Sequence, residues 1–334
     1  MKWRMYVELS AAQKKALLKR LRIGLASVFL VFCLVISSFG GNGIVPTWDA
    51  IYRWAGIAST PKSVPPEAGD TQVHFINVGQ GDAVLIQQGD HFALIDAGPN
   101  EAKEGLLMYL RQKEIEQIDL MVMTHPDGDH IGAMDDVIAE FPVQELWIPN
   151  FSKAVRPTGG CYQEILDCAD AYGTEVVVPE EKTKFPLGDG TITLISDGVV
   201  EPGKEQEYNN LSLCTMFQMG DFSFLDTGDA EAEAEEKMLM NGYPLQADVF
   251  KAGHHGSNSS NTIEFLQAVR PQVVVASCGW NNLYGHPHSV AMQNFDTVGA
   301  EFYETDLYGH IIVVANQYGE ATVYTERKKP RYCR

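Results

Sequence analysis

The densest group of metal-capable side chains lies in Thr124-His-Pro-Asp-Gly-Asp-His130. His125, Asp127, Asp129 and His130 fall within six residues, directly after an apolar run at Leu120–Thr124 that reads as a buried strand. Imidazole and carboxylate are the ligands of hydrolytic divalent-metal sites, and a tight loop leaving a strand can converge them. Gly128 would relieve crowding and permit an unusual backbone angle. Asp and Gly are ordinary turn residues, but two histidines bracketing two aspartates are not turn chemistry.

A second region repeats the pattern. Gly89–Gly98 (GDHFALIDAG) resembles Gly220–Asp229 (GDFSFLDTGD), and a matching strand lies downstream of each. IDLMVMTH ends at His125 and ADVFKAGH at His254, with Asp second and His eighth in both. Two related halves, each delivering a carboxylate and a histidine from strand ends, would form one site between them. Chance similarity of two β-hairpins is the competing explanation.

Alternation and short apolar runs predict strands at Val73–Asn77, Ala83–Gln87, Phe92–Ile95, Val176–Val178, Thr191–Ile195, Leu211–Met219, Phe222–Leu225 and Val273–Ala276. Helical spacing predicts helices at Glu101–Lys113, with Leu106, Leu107 and Leu110 on one side, and at Glu231–Met240 and Thr262–Val269. Hairpins mixed with strand–helix alternation point to an α/β fold of sheets covered by helices.

The HPDGDH run resembles the H-x-H-x-D-H motif of the metallo-β-lactamase superfamily, with Asp127 at the second His. The surroundings are similar to the hydrolase domain of ComEC-type DNA-uptake proteins. The matching pieces are VGQGDA (Val78–Ala83), LIDAG (Leu94–Gly98), THPDGDHIG (Thr124–Gly132), NNLSL (Asn209–Leu213), FLDTGD (Phe224–Asp229), HHGSNSS (His254–Ser260) and NNLYGHPH (Asn281–His288). They span about residues 71–325 in unbroken order. The resemblance implies an αββα sandwich over 71–326 binding two divalent ions, zinc or manganese. It implies that His125 and Asp127 hold one ion, and Asp129, His130 and His254 the other. Asp229 would bridge them, with His255 the second candidate for the last ligand. The family's usual third His on the first metal has no obvious counterpart, and Asn210 or Ser212 occupies that region. Asp226 stands where an apolar residue is more usual, so it competes with Asp229 as the bridge.

Asp96 resembles the family's first-motif acid, which supports the metal loop from behind, and Asp82 could do likewise. Turn formation or helix capping is the plainer role for both. His286 and His288, in a Gly/Pro loop, could hold a phosphate or protonate a leaving group, or simply face solvent. His74, His91 and His310 belong to no constellation and read as structural. Two metals lower the pKa of shared water towards neutrality and supply a hydroxide for attack on phosphorus or carbonyl carbon. Asp129, Asp229 and His286 are the expected catalytic residues. Aspartate in place of a His ligand tilts preference towards manganese.

The formal net charge of -19 argues against a broad nucleic-acid-binding surface, although a narrow metal-lined cleft remains open to a nuclease. None of the six cysteines forms a C-x-x-C pair. Cys161 and Cys168 are close enough in sequence to bridge in an exported domain, or are two buried thiols. Residues 1–22 are basic, and Ile23–Phe39 has no charge and is near the lower length limit of a membrane span. The reading favoured here is an uncleaved anchor at 23–39, basic segment inside, followed by a linker over 40–70 and a catalytic domain outside the cell. A cleaved signal peptide is the alternative. Residues 327–334 form a basic tail. The expected function is a membrane-anchored phosphodiesterase or nuclease whose substrate is a phosphodiester, DNA included. The alternatives are hydrolysis of another exported substrate such as a cell-wall phosphodiester, and a non-catalytic membrane-tethered binding module.

Overall fold

The computed structural model describes residues 70–327, except 153, 158, 159, 201, 202 and 204–206. The expected anchor at 23–39, the linker before residue 70 and the tail from residue 328 lie outside the described residues. Among the described residues no helix is long and apolar enough to cross a membrane.

Period-two patterning produces two sheets. The first takes Thr71–Phe75 (β1), Val84–Gln88 (β2), His91–Ile95 (β3), Ile118–Val122 (β4), Val143–Trp147 (β5) and Glu175–Val177 (β6), and later Ile311–Ala315 (β14) and Ala321–Thr325 (β15). Its order is β15-β14-β1-β2-β3-β4-β5-β6. The second takes Lys184–Leu187 (β7), Gly190–Ser196 (β8), Cys214–Met219 (β9), Phe222–Asp226 (β10), Val249–Lys251 (β11), Val273–Ala276 (β12) and Glu301–Glu304 (β13), in the order β13-β12-β11-β10-β9-β8-β7. Leu211 belongs to a short 3-10 turn at Asn209–Leu211, so β9 starts later than the apolar run suggests.

The sheets pack face to face. Val73, Phe75, Ile86, Ile95 and Val122 meet Leu194, Phe217, Phe224, Val249 and Val275 in one apolar cluster. The outer face of the first sheet is covered by Lys103–Gln112 (α1), Gly128–Ile131 (α2), Met134–Glu140 (α3) and Cys161–Tyr172 (α4). As expected, Leu106, Leu107 and Leu110 are buried there. The outer face of the second sheet carries Ala232–Met240 (α5), Ile263–Val269 (α6) and Ser289–Val298 (α7), and Thr305–Tyr308 (α8) follows β13. The arrangement is the αββα sandwich.

The sequence echo is a structural repeat. In each half an antiparallel hairpin, β2–β3 or β9–β10, leads into a run of parallel strands, β4–β5–β6 or β11–β12–β13. The second-position aspartates do the same work. Asp119 accepts a hydrogen bond from Phe92 N at 2.9 Å, and Asp248 accepts one from Ser223 N at 2.9 Å. Each ties the start of its hairpin strand to the next parallel strand.

Cys161 and Cys168 begin and nearly end the same two turns of α4, and both are free thiols. Seven helical residues span about 10 Å, beyond the Cα separation a disulfide allows. The bridged alternative is therefore set aside.

Candidate metal centre

The site gathers where the parallel strands of both sheets end, the usual place for function in α/β sheets. β3 runs out into Asp96, and β4 into Thr124 and the His125–His130 loop. β10 runs out into Asp229, and β11 into the His254–His255 turn. Two strand-end loops from each half therefore face one another, as the echo predicts.

Four imidazoles aim at one carboxylate oxygen. Asp229 Oδ2 lies 4.0 Å from His125 Nε2, 3.4 Å from His130 Nε2, 3.6 Å from His254 Nε2 and 3.5 Å from His255 Nε2. Each ring is tied down at its other nitrogen. His125 Nδ1 lies 3.1 Å from Thr124 Oγ1 and 3.5 Å from Ser212 Oγ. His130 Nδ1 donates to Asp96 Oδ2 at 2.7 Å, and His255 Nδ1 to the Ser277 carbonyl at 2.9 Å. His254 Nδ1 sits 3.1 Å from Ser259 Oγ and 3.4 Å from Glu231. Fixing one nitrogen so that the other points inward is how proteins orient metal-ligating histidines. Asp129 Oδ2 is 3.3 Å from His255 Nε2, and Asp127 Oδ2, half exposed, is 3.8 Å from His125 Nε2.

The donor set fits divalent cations. His125, His130 and His255 are buried, and their Nε2 atoms, like Asp229 Oδ1, have no hydrogen-bond partner. Leaving four such atoms unsatisfied in one buried place is costly unless a cation uses them. The electrostatics agree. Burial pulls His130 down, but Asp229 and Asp96 outweigh it and hold its pKa well above the ordinary value. Burial pushes Asp229 up, but His255, His130 and His125 hold its carboxyl well below the usual range. His255 is likewise raised against the pull of burial, by Asp229 and Asp82, whereas burial holds His125 well below the ordinary value. Protons on His130 and His255 thus stand in for positive charge that metal ions would supply, and metal binding would release them.

The structure corrects several expectations. The histidine that meets Asp129 is His255, not His254. Both residues adopt left-handed backbone, φ 50° and 55°, so two successive side chains turn into the cleft. Counting along β11 aligned His254 with His125 but could not foresee that the next residue would also point inward. Left-handed conformation in non-glycine residues is strained, and such strain clusters at functional sites. Gly128, by contrast, opens α2 without a positive φ and with no atom near a Cβ position. The unusual angle falls on Asp96, φ 56°.

Neither Asn210 nor Ser212 stands as a ligand. Asn210 Oδ1 accepts from Glu231 N at 2.8 Å, and Ser212 Oγ accepts from Asp229 N at 3.0 Å, behind His125. Asp82 Oδ2 lies 3.4 Å from His255 Nδ1 and 3.8 Å from His130 Nδ1, on the far side of both rings from Asp229. It therefore supports the rings from behind. Asp96 does the same, accepting from His130 and from Thr124 N and Oγ1 at 2.9 and 2.6 Å.

The buried lysine at 251 was missed. Its ammonium donates to Asp82 at 2.7 Å, to Gly228 O at 3.0 Å and to Ala252 O at 3.3 Å, using all three of its protons. The repeat shows what it replaces. Ile95 pairs with Val122 across β3 and β4, and the corresponding positions on β10 and β11 are Asp226 and Lys251. Two ionisable residues in the second half occupy the place of an apolar pair in the first. The sequence clue was a lysine in a strand otherwise apolar. Asp226 donates nothing to the histidine cluster; its Oδ1 accepts from Gly228 N at 2.8 Å, and burial pushes its pKa up to about 7 against the pull of Lys251.

His286 is buried beside the pair, its ring 5.4 Å from His254 and 6.0 Å from His255, and its Nδ1 has no partner. Burial, followed by the charges of His255 and His254, lowers its pKa to about 4. His288 Nδ1 instead accepts from Asn258 N at 3.0 Å and serves the loop. His74, bonded to Tyr109 at 2.8 Å, and His310, which accepts from Asn77 N at 3.0 Å, are structural as expected. His91 is an exposed partner of Asp119.

Fold and site together define the class. The metallo-beta-lactamase superfamily model matches residues 76–280, and the chain belongs to that superfamily. It is a metal-dependent hydrolase of that superfamily related to competence proteins. It is 30% identical over 282 residues to ComE operon protein 3 of Bacillus subtilis, covering 78% of this chain and 35% of that protein. It is 27% identical over 273 residues to competence protein ComA of Neisseria gonorrhoeae, covering 80% of this chain and 35% of that protein. It is 27% identical over 250 residues to recombination protein 2 of Haemophilus influenzae, covering 72% and 28%. The chain thus spans about a third of the length of these relatives.

Proposed function

We propose that this chain is a phosphodiesterase that works with two divalent metal ions and is held at the outer face of a membrane by residues 23–39. The observation that carries the reading is the convergence of four fixed imidazoles on Asp229, flanked by Asp127 and Asp129. His125 and Asp127, with His254 beside them, would hold the first ion. Asp129, His130 and His255 would hold the second, and Asp229 would be shared between the two sets. When bound, such ions would supply a hydroxide nucleophile at neutral pH and offset negative charge developing on the substrate. The hard oxygen of Asp127 favours manganese over zinc at the first position.

The remaining work falls to the chain itself. Asp96, Thr124, Ser212, Ser259 and Ser277 keep the rings in register. His286, neutral at physiological pH, lies beside His254 and His255 and is the candidate to hydrogen-bond a leaving oxygen. The competence and recombination names of the relatives favour a polynucleotide. The charge of -19 and the outward placement favour a cell-wall phosphodiester as the second reading. A binding module without catalysis has no need of so complete a ligand set.

The test is metal analysis of the purified chain, with hydrolysis assays on bis-nitrophenyl phosphate, DNA and a β-lactam. Two metals per chain with phosphodiester turnover is the expected result. A metal-replete chain inactive on every phosphodiester would leave the binding module. External protease on intact cells tests the anchor. The domain should be cleaved without lysis, and protection until lysis would reverse the topology.

A further inference from the structure

The loop from β12 to α7 carries chemistry that the metal centre does not use. It is pinned at its start. The Ser277 carbonyl holds His255, and Gly279 N donates to Gln80 Oε1 at 3.1 Å. Gly279 sits so close to the Gly79–Gly81 turn that a Cβ there would come 2.8 Å from Gln80 N. Asn282 staples the middle, donating to the carbonyls of Gly279 at 2.9 Å and His286 at 2.6 Å and accepting from His286 N at 2.9 Å.

On this rigid frame large apolar side chains face solvent. Trp280 is 67% exposed, Tyr284 65%, and Leu283 fully so. Single exposed apolar residues are commonplace, but three within five residues, beside a catalytic cleft, form a patch of the kind that marks a binding surface. The patch connects with the site. Tyr284 is stacked on His286 at 5.5 Å and 20°, and His286 on His255 at 6.0 Å and 27°. A row of near-parallel rings therefore runs from a metal-facing imidazole to the surface.

We infer that Trp280 and Tyr284 form a stacking platform for the bases of a single-stranded polynucleotide whose phosphodiester lies at the metal centre. The inference deepens the phosphodiesterase reading and rests on it. A flat exposed ring recognises another flat ring, and a scissile phosphate carries its bases within one nucleotide's reach. A net charge of -19 leaves little cationic surface to grip a backbone. Stacking supplies affinity without it and tolerates any base. A duplex hides the faces of its bases, so the single strand is the matching form.

The experiment uses the full chain loaded with manganese. Steady-state cleavage of a single-stranded DNA oligonucleotide is compared with that of an abasic oligonucleotide of equal length. Trp280→Ala should raise KM for the first about 10-fold, leaving kcat and the abasic substrate unchanged. Tyr284→Ala should act in the same sense, and Tyr284→Phe, which keeps the ring, should restore wild-type KM. Equal effects on both substrates, or none, overturn the platform. So does loss of binding to phosphatidylglycerol vesicles in Trp280→Ala with oligonucleotide KM intact, which would make the patch a membrane contact. If the wild type cleaves no phosphodiester, the phosphodiesterase reading fails by itself. Quenching of Trp280 fluorescence by the oligonucleotide, read as the difference from Trp280→Phe, still decides the platform: quenching supports it and its absence overturns it.

Discussion

The Asp96 carboxylate accepts the Nδ1 proton of His130 at 2.7 Å, and by doing so turns Nε2 of that ring to within 3.4 Å of Asp229. Asp96 has a left-handed backbone and is fully buried, with Thr124 as its other partner. It has no contact with the cleft itself. Asp96→Ala should therefore weaken metal binding about 10–100-fold without abolishing it, the usual cost of losing such a support. Metal titration of the purified variant checks this. Unchanged affinity would mean that ring packing alone orients His130.

Asp127 should govern metal choice. Asp127→Ala should weaken or empty the first position and lower activity strongly. Asp127→His should keep two metals and raise the preference for zinc, since imidazole suits zinc well. Mass-spectrometric metal content after growth in mixed metals, with activity in each metal, reads both outcomes. A variant Asp127→Ala that holds two metals and turns over like wild type would reduce Asp127 to a turn residue.

The two adjacent histidines should separate. His255 is buried between Asp129 and Asp229, whereas His254 is partly exposed and braced by Glu231 and Ser259. His255→Ala should remove the second metal together with most activity. His254→Ala should weaken the first and leave the second in place. Metal stoichiometry of the two variants decides, and identical losses from both would show that the pair serves a single ion.

Lys251 should be indispensable to the fold. Lys251→Met leaves Asp82 buried without its cation, which costs about 3–5 kcal/mol. Adding Asp226→Leu, which restores the apolar character of the first half, should recover only part of the loss, because Asp82 stays uncompensated. Urea midpoints of the single and double variants test this. Full recovery would place the role of Lys251 with Asp226 alone.

Asp226 should make stability depend on pH. Its folded pKa, about 7, lies above the ordinary value of 3.8, raised first by burial. The folded protein then keeps this proton where the unfolded chain has lost it. The stability linked to this group is complete below pH 3.8, is lost as pH rises towards 7, and falls no further above that. A shift of this size corresponds to a few kcal/mol at most, at about 1.4 kcal/mol per pKa unit. Asp226→Asn should remove that slope and keep both metals, since Asp226 does not face the histidine cluster. Urea unfolding of both proteins at several pH values between 4 and 8 provides the check; parallel curves would assign the slope to other groups.

The sequence by itself determined the class of the protein. The His125–His130 run is local, so the grouping of its metal-capable side chains could be read from spacing alone. The Asp119 and Asp248 echo announced two halves because each aspartate bonds the neighbouring strand of its own half. Strands and helices with a clear period were legible, while β5, β7, β13, β14 and β15 and helices such as α4 and α7 were not singled out. Tertiary structure decided the rest. Which histidine meets Asp129 depends on left-handed angles at His254 and His255, which spacing along a strand does not encode. Asp82 became a support because it approaches His130 and His255 from the Nδ1 side, a matter of ring orientation. Lys251 found its partners on Asp82 and Gly228, contributed by two other loops, and a buried charge is tolerable only when such distant groups are brought to it.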